Sequence, residues 1–287
     1  MEIAVISGKG GTGKSSLSAA FATLGEKVVI ADCDVDAANL YLLFNPAVDE
    51  EIVYTAGHKA VIDYDMCTGC NLCAEYCRFD AISVNDQVVL ISETFCDGCF
   101  LCSRVCPAGA IRMVPNNRSR LYSGTFRNGM MVYGRLAPGE ENSGKLVNMV
   151  RDKAKQVAGE TGTPTIIIDG PPGIGCPVIS SITGADRIVI VTEPTVSGSG
   201  DMQRAVEVAR KFGFSPFVVI NKYDLNNSMS DKIKEWCGKN NVRVAGEIEF
   251  DPAITRAMLE GKSVTEYDRN LGVSRKIKGI WAEISGK

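Results

Sequence analysis

The sequence is poor in the groups that several enzyme classes need. His58 is the only histidine in 287 residues; it has no partner at ligand spacing and cannot by itself support a Cys-His catalytic pair, so it is read as structural. No uninterrupted apolar run approaches the roughly 18 residues that a bilayer span requires. Charge of one sign is also missing: 31 Lys+Arg face 34 Asp+Glu, for a net charge of -3. There is therefore no global field to hold a nucleic-acid backbone or an anionic membrane, and any such contact would be local. Met1-Glu2-Ile3-Ala4-Val5-Ile6 turns straight into a glycine-rich loop. A soluble, unsecreted, cytoplasmic chain is expected.

What is present is an ordinary globular balance, 45% hydrophobic and 23% charged, with an excess of cysteine. At roughly 150 residues per domain the length allows one large domain or two smaller ones. Eight of the eleven cysteines crowd between Cys67 and Cys106, while Cys33, Cys176 and Cys237 lie apart. In a cytosolic chain such crowding asks for a metal before disulfides.

A βαβ start is legible in the strand Ile3 to Ile6, the loop Ser7 to Lys14, a helix from Ser15 to about Leu24, and a strand Val28 to Ala31 ending at Asp32. The alternation resumes with strands at Met130 to Leu136, Thr165 to Ile168, Arg187 to Val191 and Phe217 to Ile220, and helices at Lys145 to Ala158 and Asp201 to Phe212. Asp251-Pro252 reads as a helix N-cap with proline in the first turn. The strands are Val/Ile-rich throughout, as parallel strands covered on both faces are. Between Gly57 and Asn116 the pattern changes and repeats itself. A shift of 29 residues lays Cys67, Cys70, Cys73, Cys77, Ala81 and Ile82 onto Cys96, Cys99, Cys102, Cys106, Ala110 and Ile111. The expected domains are therefore an α/β domain from 1–56 and 117–287, with an insert at 57–116.

Gly8-Lys9-Gly10-Gly11-Thr12-Gly13-Lys14-Ser15 satisfies G-x-x-x-x-G-K-[ST] between a strand and a helix, and Ser16 follows it. Its glycines let backbone N–H groups converge on phosphate oxygens, Lys14 neutralises β/γ charge, and the Ser15 hydroxyl can ligate Mg²⁺. With the second lysine, Lys9, the loop resembles the deviant Walker A motif of the MinD/ParA/Mrp (SIMIBI) P-loop ATPases. That resemblance implies an α/β fold, with a mostly parallel sheet and helices on both faces, that binds ATP and Mg²⁺ and forms a homodimer in the ATP state. Lys9 would then reach across the dimer to the other protomer's phosphates. Asp32-Cys33-Asp34 closes the second strand, and by the same resemblance Asp34 orients the attacking water and lies near Mg²⁺, with Asp32 in support. Ile166-Ile167-Ile168-Asp169-Gly170-Pro171-Pro172-Gly173 resembles the family's Walker B and switch II. This puts Asp169 near the Mg²⁺ water shell and the Gly173 N–H toward the γ-phosphate. Val218-Val219-Ile220-Asn221-Lys222 resembles the strand end that reads the base, with Asn221 as the adenine contact.

Cys67-x2-Cys70-x2-Cys73-x3-Cys77 and Cys96-x2-Cys99-x2-Cys102-x3-Cys106-Pro107 are both the C-x2-C-x2-C-x3-C run of bacterial-type ferredoxins. That resemblance implies a small α+β ferredoxin domain with two [4Fe-4S] clusters, the fourth ligand of each coming from the other repeat. One set is Cys67, Cys70, Cys73 and Cys106; the other is Cys96, Cys99, Cys102 and Cys77. Zinc is the rival occupant, although two C-x2-C knuckles would suffice for it and each repeat would carry spare thiolates. Arg78 stands where the second repeat has Pro107 and leaves the ligand set intact. Gly69 and Gly98 leave room for N–H···S bonds.

Cys176, just past the switch II resemblance, is either a redox thiol or a small buried hydrophobe, and Cys33 and Cys237 are read as buried. Arg118, Arg120, Arg127 and Arg135 form a basic stretch better suited to a solvated or docking face than to nucleic acid. Val273, Ile277, Ile280, Trp281 and Ile284 share one helical face and predict docking on the core rather than on a membrane. The expected function is an ATPase (a Mg-dependent ATP hydrolase) coupling dimerisation to electron transfer, or to cluster delivery to a redox or apo-iron-sulfur partner. The alternative is a ParA/MinD-like positioning or scaffold ATPase whose clusters sense redox state. The amidating relatives of this fold carry a glutaminase domain, for which the chain has neither the length nor the histidine.

Overall fold

The computed structural model describes residues 1–25, 27–55, 57–127, 129–140 and 143–286. In chain order the elements are β1 (Glu2–Ser7), α1 (Lys14–Leu24), β2 (Val29–Asp32), α2 (Leu40–Phe44), β3 (Ala47–Tyr54), β4 (His58–Ile62), α3 (Leu72–Glu75), β5 (Ile82–Asn85), β6 (Val88–Ile91), α4 (Leu101–Val105) and β7 (Ile111–Pro115). They continue with β8 (Ser119–Phe126), β9 (Gly129–Arg135), α5 (Ser143–Thr161), β10 (Ile166–Pro172), α6 (Cys176–Ile182), β11 (Arg187–Thr192), α7 (Val196–Lys211) and β12 (Phe217–Asn221). A short 3-10 turn, α8 (Asn227–Lys239), β13 (Arg243–Ile248), α9 (Pro252–Leu259), α10 (Val264–Tyr267) and α11 (Gly272–Ser285) complete the chain.

Two compact units result: Met1–Glu51 with Leu121–Gly134 and Ser143–Lys287, and Ile52–Arg120 with Arg135–Asn142. The second is wider than the 57–116 insert expected from the cysteine pattern. It begins inside β3, which runs on to Tyr54, and it takes in the segment after β9. The expected boundary residue, Ala56, lies outside the described residues.

In the first unit the strand order is β13-β12-β11-β1-β10-β2-β9-β8-β3, and the pairs from β13 through β9 are all parallel. The Val/Ile runs form these strands because both of their faces are buried: every residue of β2 and β12 is buried. From β1 the chain passes to β2 on one side, and from β10 to β11 on the other, so β1 lies at the point where the winding reverses. Crevices beyond the carboxyl ends of the strands at such a point are where α/β sheets take ligands. Helices α1, α10 and α11 pack together, while α5 and α6 pair with each other and contact β2 and β10. All five apolar residues of α11 named from the sequence are buried, and Trp281 packs on Phe21 with ring centroids 5.1 Å apart.

The second unit is built twice. The strand–helix–strand β4-α3-β5 and its counterpart β6-α4-β7 are the two halves of the 29-residue repeat, and they interlock: β4 pairs with β7 and β5 with β6, both antiparallel. Its hydrophobic centre is small. Ala60, Cys73, Val89 and Ile111 are buried there, and Cys67, Cys96, Cys102 and Cys106 are among the partly buried residues packed around them. A core of this size rarely supports a domain without a staple such as a metal or a disulfide.

Candidate functional site

Strand β1 delivers the chain into the glycine loop and α1 leaves it. Gly13 caps α1 in the left-handed region, at φ 86, with no side-chain cap, so the first-turn N–H groups of the helix are left for an anion. Two close approaches shape the loop. A Cβ on Gly13 would lie 2.2 Å from Asn221 Nδ2, and a Cβ on Gly8 would lie 2.4 Å from the Asp201 carbonyl oxygen. Gly10, Gly11, Thr12, Gly13, Lys14, Ser15 and Ser16 line one cavity with Asp34 and Pro172.

At its floor the acidic and basic groups meet. Lys14 Nζ lies 3.0 Å from Asp169 Oδ2 and 3.8 Å from Asp34 Oδ2. The Ser15 hydroxyl donates to Asp169 Oδ2 at 2.7 Å, and that of Ser18 donates to Asp169 Oδ1 at 2.8 Å. Burial works against the Lys14 charge, but Asp169, Asp34 and Asp32 outweigh it and hold the ammonium above its ordinary pKa. Burial, and then the Asp169 charge, push the Asp32 carboxyl up to about 7. Burial likewise raises Asp34, with Lys14 opposing. Asp32 is wholly buried and accepts from the backbone N–H groups of Asp34, Asn39 and Leu40, so it folds the turn that presents Asp34. An ammonium, a hydroxyl and carboxylates around a glycine loop are the groups that hold a polyphosphate with a divalent cation.

Three of the sequence-derived residues are engaged within the chain itself. The Gly173 N–H is donated to the Ser7 carbonyl at 2.8 Å rather than left for a phosphate, because the turn after β10 folds back on the end of β1. Asn221 is buried; its Nδ2 donates to the Thr12 carbonyl at 2.8 Å and its Oδ1 accepts from the Lys222 N–H at 3.1 Å, so it ties the glycine loop to the end of β12. Lys9 Nζ lies within 3.4 Å of the Thr195 and Ser197 hydroxyls and 3.9 Å from Glu193, and Glu193 also pairs with Lys222 at 2.5 Å.

An apolar cavity adjoins the loop. Gly13, Leu17, Asn221 and Lys222 line it together with Phe250, Ile254 and Met258. Sequence reasoning did not name the last three, although the Asp251-Pro252 helix start pointed at them. Asp251 does cap α9, accepting from the Ala253 N–H, and Asp224 holds the loop by accepting from the Phe250 N–H at 2.7 Å.

In the second unit the eight clustered thiols fall into two sets. Cys67, Cys70, Cys73 and Cys106 line one small cavity, and Cys77, Cys96, Cys99 and Cys102 line another. The interlocked strands cause the exchange, because Cys77 and Cys106 each lead into a strand that pairs with the other repeat. Burial raises the Cys73 thiol, with Cys70 and Cys106 adding to it, and burial with Cys96 and Cys99 lifts Cys102 to about 11. The Ala110 N–H donates to Cys106 Sγ at 3.3 Å. Among the described residues no group of three or more His, Cys, Asp or Glu side chains is drawn together to hold a single metal ion. Donor sets ringing a small, largely apolar space, with an N–H aimed at sulfur, fit a multi-atom cluster.

The remaining candidates separate by burial. Cys33 and Cys237 are buried as expected, whereas Cys176 is exposed at the start of α6, so a buried hydrophobe is the wrong description of it. Arg118 pairs with Glu93 and Arg127 with Glu266, while Arg120 donates to the Asn117 and Ser119 backbone carbonyls, so these three arginines are engaged within the chain. No helix among the described residues is long and apolar enough to cross a membrane.

Comparison with known proteins adds the following. The CobQ/CobB/MinD/ParA nucleotide binding domain matches residues 3–264. An uncharacterized protein of Methanocaldococcus jannaschii is 37% identical over 287 residues, covering 99% of this chain and 96% of its own length. The septum site-determining protein MinD of Synechocystis sp. is 29% identical over 208 residues, covering 71% of this chain and 57% of its own. Among solved structures, the cell division ATPase MinD of Pyrococcus furiosus superposes with a TM-score of 0.57 at 21% identity, over 99% of this chain and 98% of that one. The septum site-determining protein MinD of Pyrococcus horikoshii, complexed with Mg-ADP, gives 0.56 at 19%, over 99% and 95%. Because the family match runs from β1 into α10 and includes the glycine loop, Asp169 and Asn221, this chain belongs to the CobQ/CobB/MinD/ParA nucleotide-binding family.

Proposed function

We propose that the chain is a Mg²⁺-dependent ATP hydrolase that holds two [4Fe-4S] clusters and couples nucleotide-driven dimerisation to electron transfer or cluster delivery. The supporting observation is the pair of four-thiol cavities in a unit with little core of its own, on a chain that carries a complete phosphate loop. Backbone N–H groups of Gly8 to Ser16 and the Lys14 ammonium hold the phosphates, with Ser15, Asp34 and Asp169 about the Mg²⁺ and its waters. Asp34, raised by burial yet paired with Lys14, orients the water that attacks the γ-phosphate, giving ADP and phosphate. Lys9 leaves Thr195, Ser197 and Glu193 to offset charge on the other protomer's nucleotide. Gly173 joins the phosphate site only by giving up its bond to Ser7. Asn221 and Lys222 border the base, which the Phe250, Ile254 and Met258 wall covers. When bound, the clusters supply one-electron redox chemistry. The cysteines hold them, as thiolates, in two sets that each draw on both repeats.

The similarity to septum site-determining MinD proteins favours a second reading, a positioning or scaffold ATPase whose clusters sense redox state. Hydrolysis stimulated by DNA or by vesicles, and indifferent to cluster oxidation, would select it. Both readings carry the clusters, and anaerobically purified protein is expected to hold about eight irons per chain with absorption near 400 nm. Two zincs and no such absorption would overturn both.

A further inference from the structure

The two thiol cavities are duplicates in sequence but are lined differently. The first repeat reads Cys67-Thr68-Gly69-Cys70-Asn71 and the second Cys96-Asp97-Gly98-Cys99-Phe100. Thr68 and Asn71 line the cavity of Cys67, Cys70, Cys73 and Cys106, whereas Asp97 lines that of Cys96, Cys99, Cys102 and Cys77. Phe100, the counterpart of Asn71, lies against His58, ring centroids 5.1 Å apart.

Asn71 is not explained by the backbone or by capping. It adopts the left-handed conformation at φ 63, which suits asparagine, but Phe100 adopts the same conformation at φ 66. It stands at the N-cap of α3, yet its side chain makes no capping bond. Its Oδ1 is buried with no hydrogen-bond partner. A buried amide end without a partner is costly, and a half turn of the amide exchanges its oxygen for an N–H donor pair. The Cys67, Cys70, Cys73 and Cys106 sulfurs line the same cavity as Asn71 and can accept from such donors.

Resting on the cluster reading above, we propose that Asn71 donates a hydrogen bond to the sulfur shell of the cluster held by Cys67, Cys70, Cys73 and Cys106, and that this is the higher-potential cluster of the two. Reduction adds one negative charge to a cluster, and N–H donors to sulfur stabilise that charge. The Ala110 N–H on Cys106 acts in the same direction, and no corresponding bond from Ala81 to Cys77 is found among the described residues. Asp97 lines the other cavity but is exposed, so water and salt screen its carboxylate. Arg78, beside Cys77, is exposed and screened by water and salt. Electrons entering the unit therefore settle on the Cys67/Cys70/Cys73/Cys106 cluster.

The test is an EPR-monitored redox titration of the full anaerobic chain, with iron measured on every sample. Two separate midpoints are expected. Asn71→Leu, with its iron retained, should weaken reduction at the higher midpoint about tenfold, which for one electron is about 59 mV, and leave the lower one in place. The reciprocal Phe100→Asn variant should raise the lower midpoint, and it carries the test should Asn71→Leu fail to load. Iron-loaded variants whose midpoints match those of the parent would overturn the assignment of Asn71. A parent chain that binds no iron would overturn the cluster reading beneath it.

Discussion

Lys14→Ala is expected to abolish Mg-ATP binding, whereas Lys9→Ala spares most of the binding and removes both ATP-induced dimers and hydrolysis. The two lysines sit five residues apart in one loop but in opposite surroundings. Lys14 is buried between Asp169 and Asp34, where the charges of a bound polyphosphate would gather. A charge-assisted bond is worth about 1.5–3 kcal/mol, so losing two of them lowers affinity by roughly a hundredfold or more. Removing Lys14 also leaves buried carboxylates uncompensated, which costs about 3–5 kcal/mol of stability, so the variant's folding is checked by circular dichroism. Lys9 is partly exposed and held only by two hydroxyls and a long pair to Glu193. It can leave at little cost. Calorimetry with a non-hydrolysable ATP analogue measures the binding, and sedimentation with the same analogue measures the dimers. An unchanged dimer fraction in Lys9→Ala would remove the cross-protomer role.

The second large effect concerns pairs of cysteines. Because Cys77 lines the cavity of Cys96, Cys99 and Cys102, the double variant Cys77→Ala/Cys99→Ala damages one site and should retain about four irons. Cys77→Ala/Cys70→Ala, confined to a single sequence repeat, damages both sites and should retain almost none. The opposite ranking of iron contents, measured after anaerobic reconstitution, would mean that each repeat ligates its own cluster.

The glycine loop, the Val/Ile strands and the duplicated cysteines were legible in the sequence because each is a local pattern with a short period. The exchange of Cys77 and Cys106 between sets was legible only by resemblance, and its physical cause lies in the β4–β7 and β5–β6 pairings. Other elements were hidden. Helix α7 begins at Val196, five residues before the expected start, because Thr195 caps it through the Gly198 N–H while Gly198 and Gly200 disguise the first turns. Strands β3 and β8 are too polar to announce themselves, with Asp49, Glu50 and Glu51 in the first and Ser119, Arg120 and Ser123 in the second. Asn221 was recognised as a site residue, but its bond to the Thr12 carbonyl joins positions 209 residues apart, a contact no local pattern encodes. The wall of Phe250, Ile254 and Met258 escaped for the same reason: apolar residues on a short helix and in the loop before it read as ordinary core until the sheet places them beside the glycine loop.

Whether ATP and the clusters act on each other is tested most directly by one redox titration, followed by EPR, run with ADP and again with a non-hydrolysable ATP analogue. The chain passes from Asp34 into the cysteine-bearing segment through α2 and β3 alone, so a nucleotide-dependent change at Asp34 has a short covalent route to it. If the two nucleotide states hold the clusters differently, linkage requires the ratio of reduction constants to equal the ratio of nucleotide affinities. A coupling of about 1–3 kcal/mol corresponds to a midpoint shift of roughly 40–130 mV per electron, and a shift in that range is the expected result. Midpoints that coincide within error would contradict the coupling and leave an ATPase whose clusters are passengers.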